Sequence, residues 1–311
     1  LHEEAKYDKR GIILTAASYF LWGILPLYWK AADSVRSEEI LAHRVFWSFI
    51  FMLLVLTAGK NWRKAGEALI EMKKRPVLIM SLVFSSLFIS ANWFVYIWAV
   101  NNHHILEASL GYYINPLISV LLGVFFLKEK LNKWQKFSFL LAFAGVLISS
   151  IHFGSFPWIS MILALSFGFY GLTKKVTKLN AAVGLAFETL VVMPAAVLYL
   201  LQLMWKGESA FMAGEGFLTD FLLIGAGIVT AVPLLLFSSG AQKIPLYMTG
   251  ILQYIAPTLT LIVGLVIFKE SFTAVDFITF AFIWLALAVF TFSSAKDARN
   301  LRMKKAKSKS A

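Results

Sequence analysis

Tyr113-Ile114-Asn115-Pro116-Leu117-Ile118-Ser119-Val120-Leu121-Leu122-Gly123, running on to Lys128-Glu129, is the stretch that decides the fold, because it occurs twice. Tyr113, Ile114, Pro116, Gly123, Lys128 and Glu129 recur as Tyr254, Ile255, Pro257, Gly264, Lys269 and Glu270, every pair 141 residues apart and without a gap. Both copies lie in apolar runs long enough to cross a bilayer, each with its proline near the middle. A repeat of this kind is the mark of a duplicated transporter half.

The rest of the chain agrees with lipid as its solvent. With 59% hydrophobic residues, a mean hydropathy of +0.74 and only 15% charged residues, a water-soluble body of 311 residues would be left with far too much apolar surface. Ten apolar runs have the length a helix needs to cross about 30 Å of hydrocarbon. They cover 11–29, 40–58, 77–99, 105–127, 135–151, 157–173, 183–201, 218–239, 245–268 and 274–293. The first is read as a span and not as a secretory signal, since it holds Trp22, Pro26 and Tyr28 and lacks a small-residue cleavage pattern. Leu1 in place of Met points to a start that is truncated or misplaced. Between the second and third spans, Trp62, Ala65, Leu69 and Met72 fall on one helical face, which predicts a helix lying on the membrane surface. The chain has no cysteine, so disulfides and thiolate metal sites are excluded.

The basic residues set the orientation. They gather before the first span, between the second and third, around Lys128–Lys136, at Lys174, Lys175 and Lys178, at Lys243, and in the tail from Lys296 to Lys309. By the positive-inside rule these connections and both termini are cytoplasmic. The net charge of +12 is thereby explained by lipid headgroups at helix ends, and no nucleic-acid partner is implied. Five spans per half is an odd number, so the second half enters the membrane inverted. The organisation expected is an all-α membrane protein of two inverted five-helix repeats, residues 1–151 and 152–294, followed by a basic cytoplasmic tail, 295–311. Inverted repeats supply the two related conformations that alternating access requires.

A proline in mid-membrane frees a backbone carbonyl, which is tolerated only against protein or a watery cavity, so Pro116 and Pro257 are the helix breaks that point inward. The expected cavity wall around them is Trp93, Tyr96, Tyr113, Asn115, Gln253 and Tyr254, with Asn92 on the face of Tyr96 at i, i+4. For the amides, interhelical hydrogen bonding is the competing role, and for Tyr28, Trp29 and Trp98 the interfacial aromatic belt is the expected one. Two charges lie inside spans. Glu188 must face a partner, a cavity or a proton, and it carries the expectation of a substrate counter-charge or proton site. Arg44, its counterpart when Leu41-Ala42-His43-Arg44 is set against Leu185-Ala186-Phe187-Glu188, is the second candidate for charge recognition or coupling, with snorkelling as the plain alternative. Depth argues against a direct Arg44–Glu188 bridge, because the two enter from opposite faces.

No phosphate loop, zinc motif or catalytic carboxylate pair is present, and no cofactor or metal is implied. A membrane enzyme or channel with a loop-borne site is the alternative reading; the loops are short, and no acidic ring or filter-like glycine loop appears. Aromatic walls with few charges favour an amphipathic or zwitterionic small molecule over an inorganic ion.

Four motifs carry a family likeness. They are Tyr19-Phe20-Leu21-Trp22-Gly23 through Pro26-Leu27-Tyr28-Trp29-Lys30, Glu39-Ile40-Leu41-Ala42-His43-Arg44-Val45-Phe46-Trp47-Ser48, Asn92-Trp93-Phe94-Val95-Tyr96-Ile97-Trp98, and Glu107-Ala108-Ser109-Leu110-Gly111-Tyr112-Tyr113-Ile114-Asn115-Pro116-Leu117. With these the chain resembles the RarD subfamily of EamA-type carriers in the drug/metabolite transporter superfamily, over nearly its whole length. The resemblance implies a bacterial plasma-membrane carrier that exports small metabolites or drugs. Family members often carry a chloramphenicol-sensitivity label, which does not establish a substrate.

Overall fold

The computed structural model describes residues 8–309 apart from 33, 102–103, 155–157, 178, 214–215 and 270–272. Among the described residues the regular structure is helical: α1 (Lys9–Ala31), α2 (Ser37–Ala58), α3 (Trp62–Lys74), α4 (Pro76–Asn101), α5 (Ile105–Phe126) and α6 (Lys133–Phe153) are followed by α7 (Trp158–Thr177), α8 (Ala181–Lys206), α9 (Phe217–Ala241), α10 (Leu246–Leu252), α11 (Ile255–Val263) and α12 (Ala274–Lys309). Nine stretches are long and apolar enough to cross a membrane, α10 and α11 together making one of them, and α5 adds a shorter apolar core, Leu110–Phe126. The outward faces are apolar, with Phe125, Phe126, Leu198 and Phe217 exposed, as a surface bathed in lipid must be.

Helix starts follow local chemistry. Asp8 accepts from the Arg10 and Gly11 amides to cap α1, Asn132 and Gln135 form a reciprocal capping box on α6, and Asn180 accepts from Ala182 and Val183 to cap α8. On α3 the buried residues are Ala65, Ala68 and Met72, while Trp62 and Leu69 stay half exposed, so the face turned to the protein is narrower than the stripe read from the sequence.

α1 packs on α9 and α11; α2 on α8 and α9; α4 on α7 and α8; α5 on α7 and α10; α6 on α12. Close approach substitutes for the hydrophobic drive that lipid removes. At Gly227 any Cβ would overlap the backbone of Trp47 and Ser48, and at Gly240 it would overlap Thr15 Oγ1 and crowd the Gly11 carbonyl. Only glycine permits these two helix contacts.

One end of the bundle, the basal end, gathers the start of α1 and the α5–α6 and α9–α10 turns. Asp8 lies 3.7 Å from Lys243, and the Asn132 amide donates to Asp297 of α12 at 2.6 Å. The distal end gathers the α1–α2 and α8–α9 connections, through Arg36–Glu208 at 3.3 Å and a Ser209 hydroxyl donating to Glu39 at 2.8 Å.

Two boundaries differ from the sequence reading. The run 245–268, expected as one helix, is broken at Gln253–Tyr254 and ends in a π turn, Gly264–Phe268. Pro257 has no N–H to give the Gln253 carbonyl, which takes the Ala256 amide at 3.1 Å instead. The last run, expected as a span over 274–293, continues as helix to Lys309, so the basic residues from 295 extend α12 through residues of high helix propensity.

Candidate functional site

The sequence-predicted residues fall into three groups. In the distal half, Arg44 lies seven residues inside α2, about 10 Å from its start at 1.5 Å per residue. Its guanidinium carbon is 4.7 Å from the Trp29 ring centroid and 4.9 Å from that of Trp93, and its Nε donates to Thr230 Oγ1 at 3.0 Å. Near it the Tyr96 and Tyr112 rings meet edge to face, 5.9 Å apart. Tyr96 is 36% and Tyr112 46% exposed, although protein crowds around both. We term this partly exposed polar cluster at the distal end the recess.

The second group joins the repeat to itself. The Tyr254 hydroxyl donates to the Tyr113 carbonyl at 3.2 Å, so the two equivalent tyrosines touch. Ser119 Oγ sits 3.5 Å from Gln253 Oε1, and a Cβ at Gly250 would lie 2.7 Å from the Pro116 carbonyl oxygen. Tyr254 is buried among Leu110, Ile114, Leu117 and Ile283, the Tyr113 ring meets Phe280 edge-on at 5.3 Å, and Asn115 and Gln253 are buried, the Asn115 Oδ1 having no partner. Pro116 leaves α5 continuous, whereas Pro257 follows the break.

The third group surrounds Glu188. Its Oε2 is 2.5 Å from Lys174 Nζ and 3.5 Å from the Tyr170 hydroxyl, and its Oε1 accepts from Ser85 at 2.7 Å. The pair is sealed, with side chains 5% and 4% exposed. A cavity of about 10 Å³, with room for roughly one water, lies beside Glu188 and reaches Trp93. Trp93 therefore borders both the Arg44 recess and the Glu188 pair. Arg44 and Glu188 do not meet, as their depths imply.

Several placements depart from the sequence reading. Lys174 is not a cytoplasmic loop charge, because α7 extends past 173 to Thr177 and carries it into the interior. Trp29, expected in the interfacial belt, faces Arg44. The Asn92 amide donates to the Leu163 carbonyl at 2.9 Å and to Ser166 at 3.0 Å, the interhelical role that the sequence leaves open for it. Thr230 and Lys174 escaped the sequence reading. The spacing of Tyr170 and Lys174 at i, i+4, putting both on one helix face, was the available signal for the second.

Below the recess the basal half is shut. Tyr19, Trp22, Phe167, Tyr170 and Phe237 form an aromatic plug between α1, α7 and α9, with neighbouring ring centroids 5.5–6.0 Å apart. Under it, the Glu129 carboxylate accepts the Leu246 and Tyr247 amides at 2.7 and 2.9 Å, capping α10 from the other half of the chain, while Lys175 Nζ donates to the Ile244 carbonyl at 2.5 Å.

An all-helical, multi-pass bundle with a polar recess at one end and a sealed opposite end defines a membrane transporter, and comparison with known proteins gives its kin. The description "EamA-like transporter family" matches residues 9–151. The chain is 51% identical to "Uncharacterized transporter YojE" of Bacillus subtilis (strain 168), over 93% of this chain and 95% of that protein. It is 42% identical to "Protein RarD" of Escherichia coli (strain K12), over 92% and 95% respectively. A crystal structure 19% identical in sequence shares the fold at a TM-score of 0.68, covering 91% of this chain and 97% of the other. The chain belongs to the EamA-like transporter family and, within it, to the RarD subfamily of the drug/metabolite transporter superfamily.

Proposed function

We propose that the chain is a secondary transporter that exports a small amphipathic or zwitterionic metabolite or drug across the bacterial plasma membrane, by alternating access between two inverted five-helix repeats. Both termini face the cytoplasm in this reading, so the basal end is inner and the distal recess opens outward. The observation that carries it is the opposite exposure of repeat-equivalent residues: Tyr112 is 46% exposed and Gln253, 141 positions on, only 5%. A bundle open at one face and closed at the other around a shared middle is one of the two states that alternation needs.

The solute occupies the recess against Arg44, Trp93 and Tyr96. Tyr113, Asn115, Gln253 and Tyr254 form the seam that parts when the inner face opens, with Pro116 and Pro257 marking its depth. Asn92 holds the α4 wall to α7. Glu188 is the coupling residue: release of its carboxylate from Lys174 accompanies the exchange of states.

The natural absence of cysteine makes the test clean. Tyr112→Cys should react with a membrane-impermeant maleimide added outside intact cells, and Gln253→Cys should not. In inside-out vesicles during turnover, Gln253→Cys should become reactive. Tails labelled on opposite membrane faces, or both thiols reacting from one face in every state, would end this reading. In reconstituted vesicles Glu188→Gln should lower flux with expression retained, and should abolish any acceleration by an imposed pH gradient; acceleration that survives the change removes the coupling role.

A further inference from the structure

We propose that Arg44 recognises the carboxylate of an otherwise apolar solute, its guanidinium edge forming the anion seat of the recess. This rests on the transporter reading and narrows it to a class of substrate.

Interior charge elsewhere in the described residues is answered by protein. Glu188 has Lys174 and Ser85, Glu39 has the Ser209 hydroxyl and the Ala210 amide, and Glu129 has two amides of α10. Arg44 commits only its Nε, to Thr230, and among the described residues no carboxylate lies within 4.0 Å of it. The two indole rings stabilise the cation only in part, because such contacts return less than withdrawing an ion from water costs. Water in the recess, or an anion, must supply the rest.

The donors left over decide which anion. The Trp29 and Trp93 rings lie against the guanidinium carbon at 4.7 and 4.9 Å and Nε is taken by Thr230, so what remains for a ligand is the Nη edge. There the paired Nη–H groups present two parallel donors, the match for the two oxygens of a carboxylate. Near that edge Tyr96 and Tyr112 offer ring surface to an apolar body. Among the described residues no carboxylate stands within 4.0 Å of Arg44 to compete for that edge, and the cation itself favours acids over amines. A cation in a narrow low-dielectric opening also raises the local concentration of anions.

The test uses the full chain in nanodiscs of phosphatidylcholine, with phenylacetate and its uncharged counterpart phenylacetamide as probes. Phenylacetate should shift tryptophan emission saturably and raise the melting temperature, and phenylacetamide should bind at least about tenfold more weakly, the loss expected when a charge-assisted hydrogen-bond pair is removed. Arg44→Gln should abolish the difference. Arg44→Lys keeps the charge but not the planar fork, so it should weaken phenylacetate by about tenfold, and it carries the comparison should Arg44→Gln fail to fold. Equal binding of acid and amide, wild-type affinity in Arg44→Lys, or no phenylacetate binding at all would overturn the proposal. So would competitive displacement of phenylacetate by phosphatidylglycerol added to the nanodisc, which would make the seat a lipid headgroup site. Phenylacetate counterflow in vesicles separates the two readings: Arg44-dependent binding without flux above protein-free vesicles defeats transport and keeps the seat, whereas flux indifferent to Arg44→Lys defeats the seat and keeps transport.

Discussion

α5 and the α10–α11 pair carry the same repeated residues and do different things with them. α5 runs unbroken through Pro116 and presents Tyr112 to the recess; its counterpart breaks before Pro257 and buries Gln253. The deep charges divide the same way, Arg44 being left at an open edge while Glu188 is closed off by Lys174. A shared motif thus sits in copies of opposite accessibility, and two pairs that differ in exposure, Tyr112 against Gln253 and Arg44 against Glu188, are positions where the two copies carry different side chains. One detail is nonetheless shared: Lys128 and Lys269 both adopt left-handed backbone, at φ 55° and 54°.

Four sets of changes would break or sharpen that contrast. The largest effect is expected from Lys174→Met, which strands Glu188 as an uncompensated buried charge and should cost about 3–5 kcal/mol of stability, read from unfolding in detergent; Lys174→Met with Glu188→Gln should recover most of it. Next comes Glu129→Ala, which uncaps α10 and should cost about 1–2 kcal/mol, with faster hydrogen exchange at Leu246 and Tyr247. Burial raises the Glu129 carboxyl above its ordinary range, against the pull of the two α10 amides and Lys175. A raised folded value favours the protonated form, so the advantage of wild type over Glu129→Gln should be full at pH below the ordinary glutamate value and decline as pH rises through the raised one. A melting-temperature gap that grew with pH would reverse this sign.

A smaller asymmetry is expected between the tyrosines. Tyr254→Phe removes the hydroxyl that donates to the Tyr113 carbonyl and should cost about 1 kcal/mol, whereas Tyr113→Phe leaves that bond intact and should change unfolding by less than about 0.5 kcal/mol. Smallest are Lys128→Gly and Lys269→Gly, where relief of left-handed strain is largely offset by glycine's greater loss of backbone freedom, leaving a gain below about 0.5 kcal/mol each. Unequal gains would show that the two turns are not equivalent.

Most of the fold was legible because membrane helices advertise themselves by length and composition, and the 141-residue repeat is exact in spacing. The site was legible in part. Arg44, Trp93 and Tyr96 do converge, but the pairing of Glu188 with Lys174 was hidden, since a lysine within a turn of a span's end looks the same in sequence whether it reaches for headgroups or folds inward. Trp29 was hidden for a like reason: a tryptophan near a helix end fits the interfacial belt until a cation is seen against its face. The break at Gln253 followed from Pro257, while Pro116 shows that a proline alone does not compel one.

The glycine contacts of α9 limit how the bundle can deform. At Gly240 it bears on α1, and at Gly227 on α2, with main chains so near that a methyl group would have no place to go. Axial slippage along either seam would bring bulkier side chains into register with those notches and prise the rods apart. α1, α2 and α9 are therefore keyed together like a mast with two stays, and any rearrangement of the molecule must pivot around that trio instead of shearing within it.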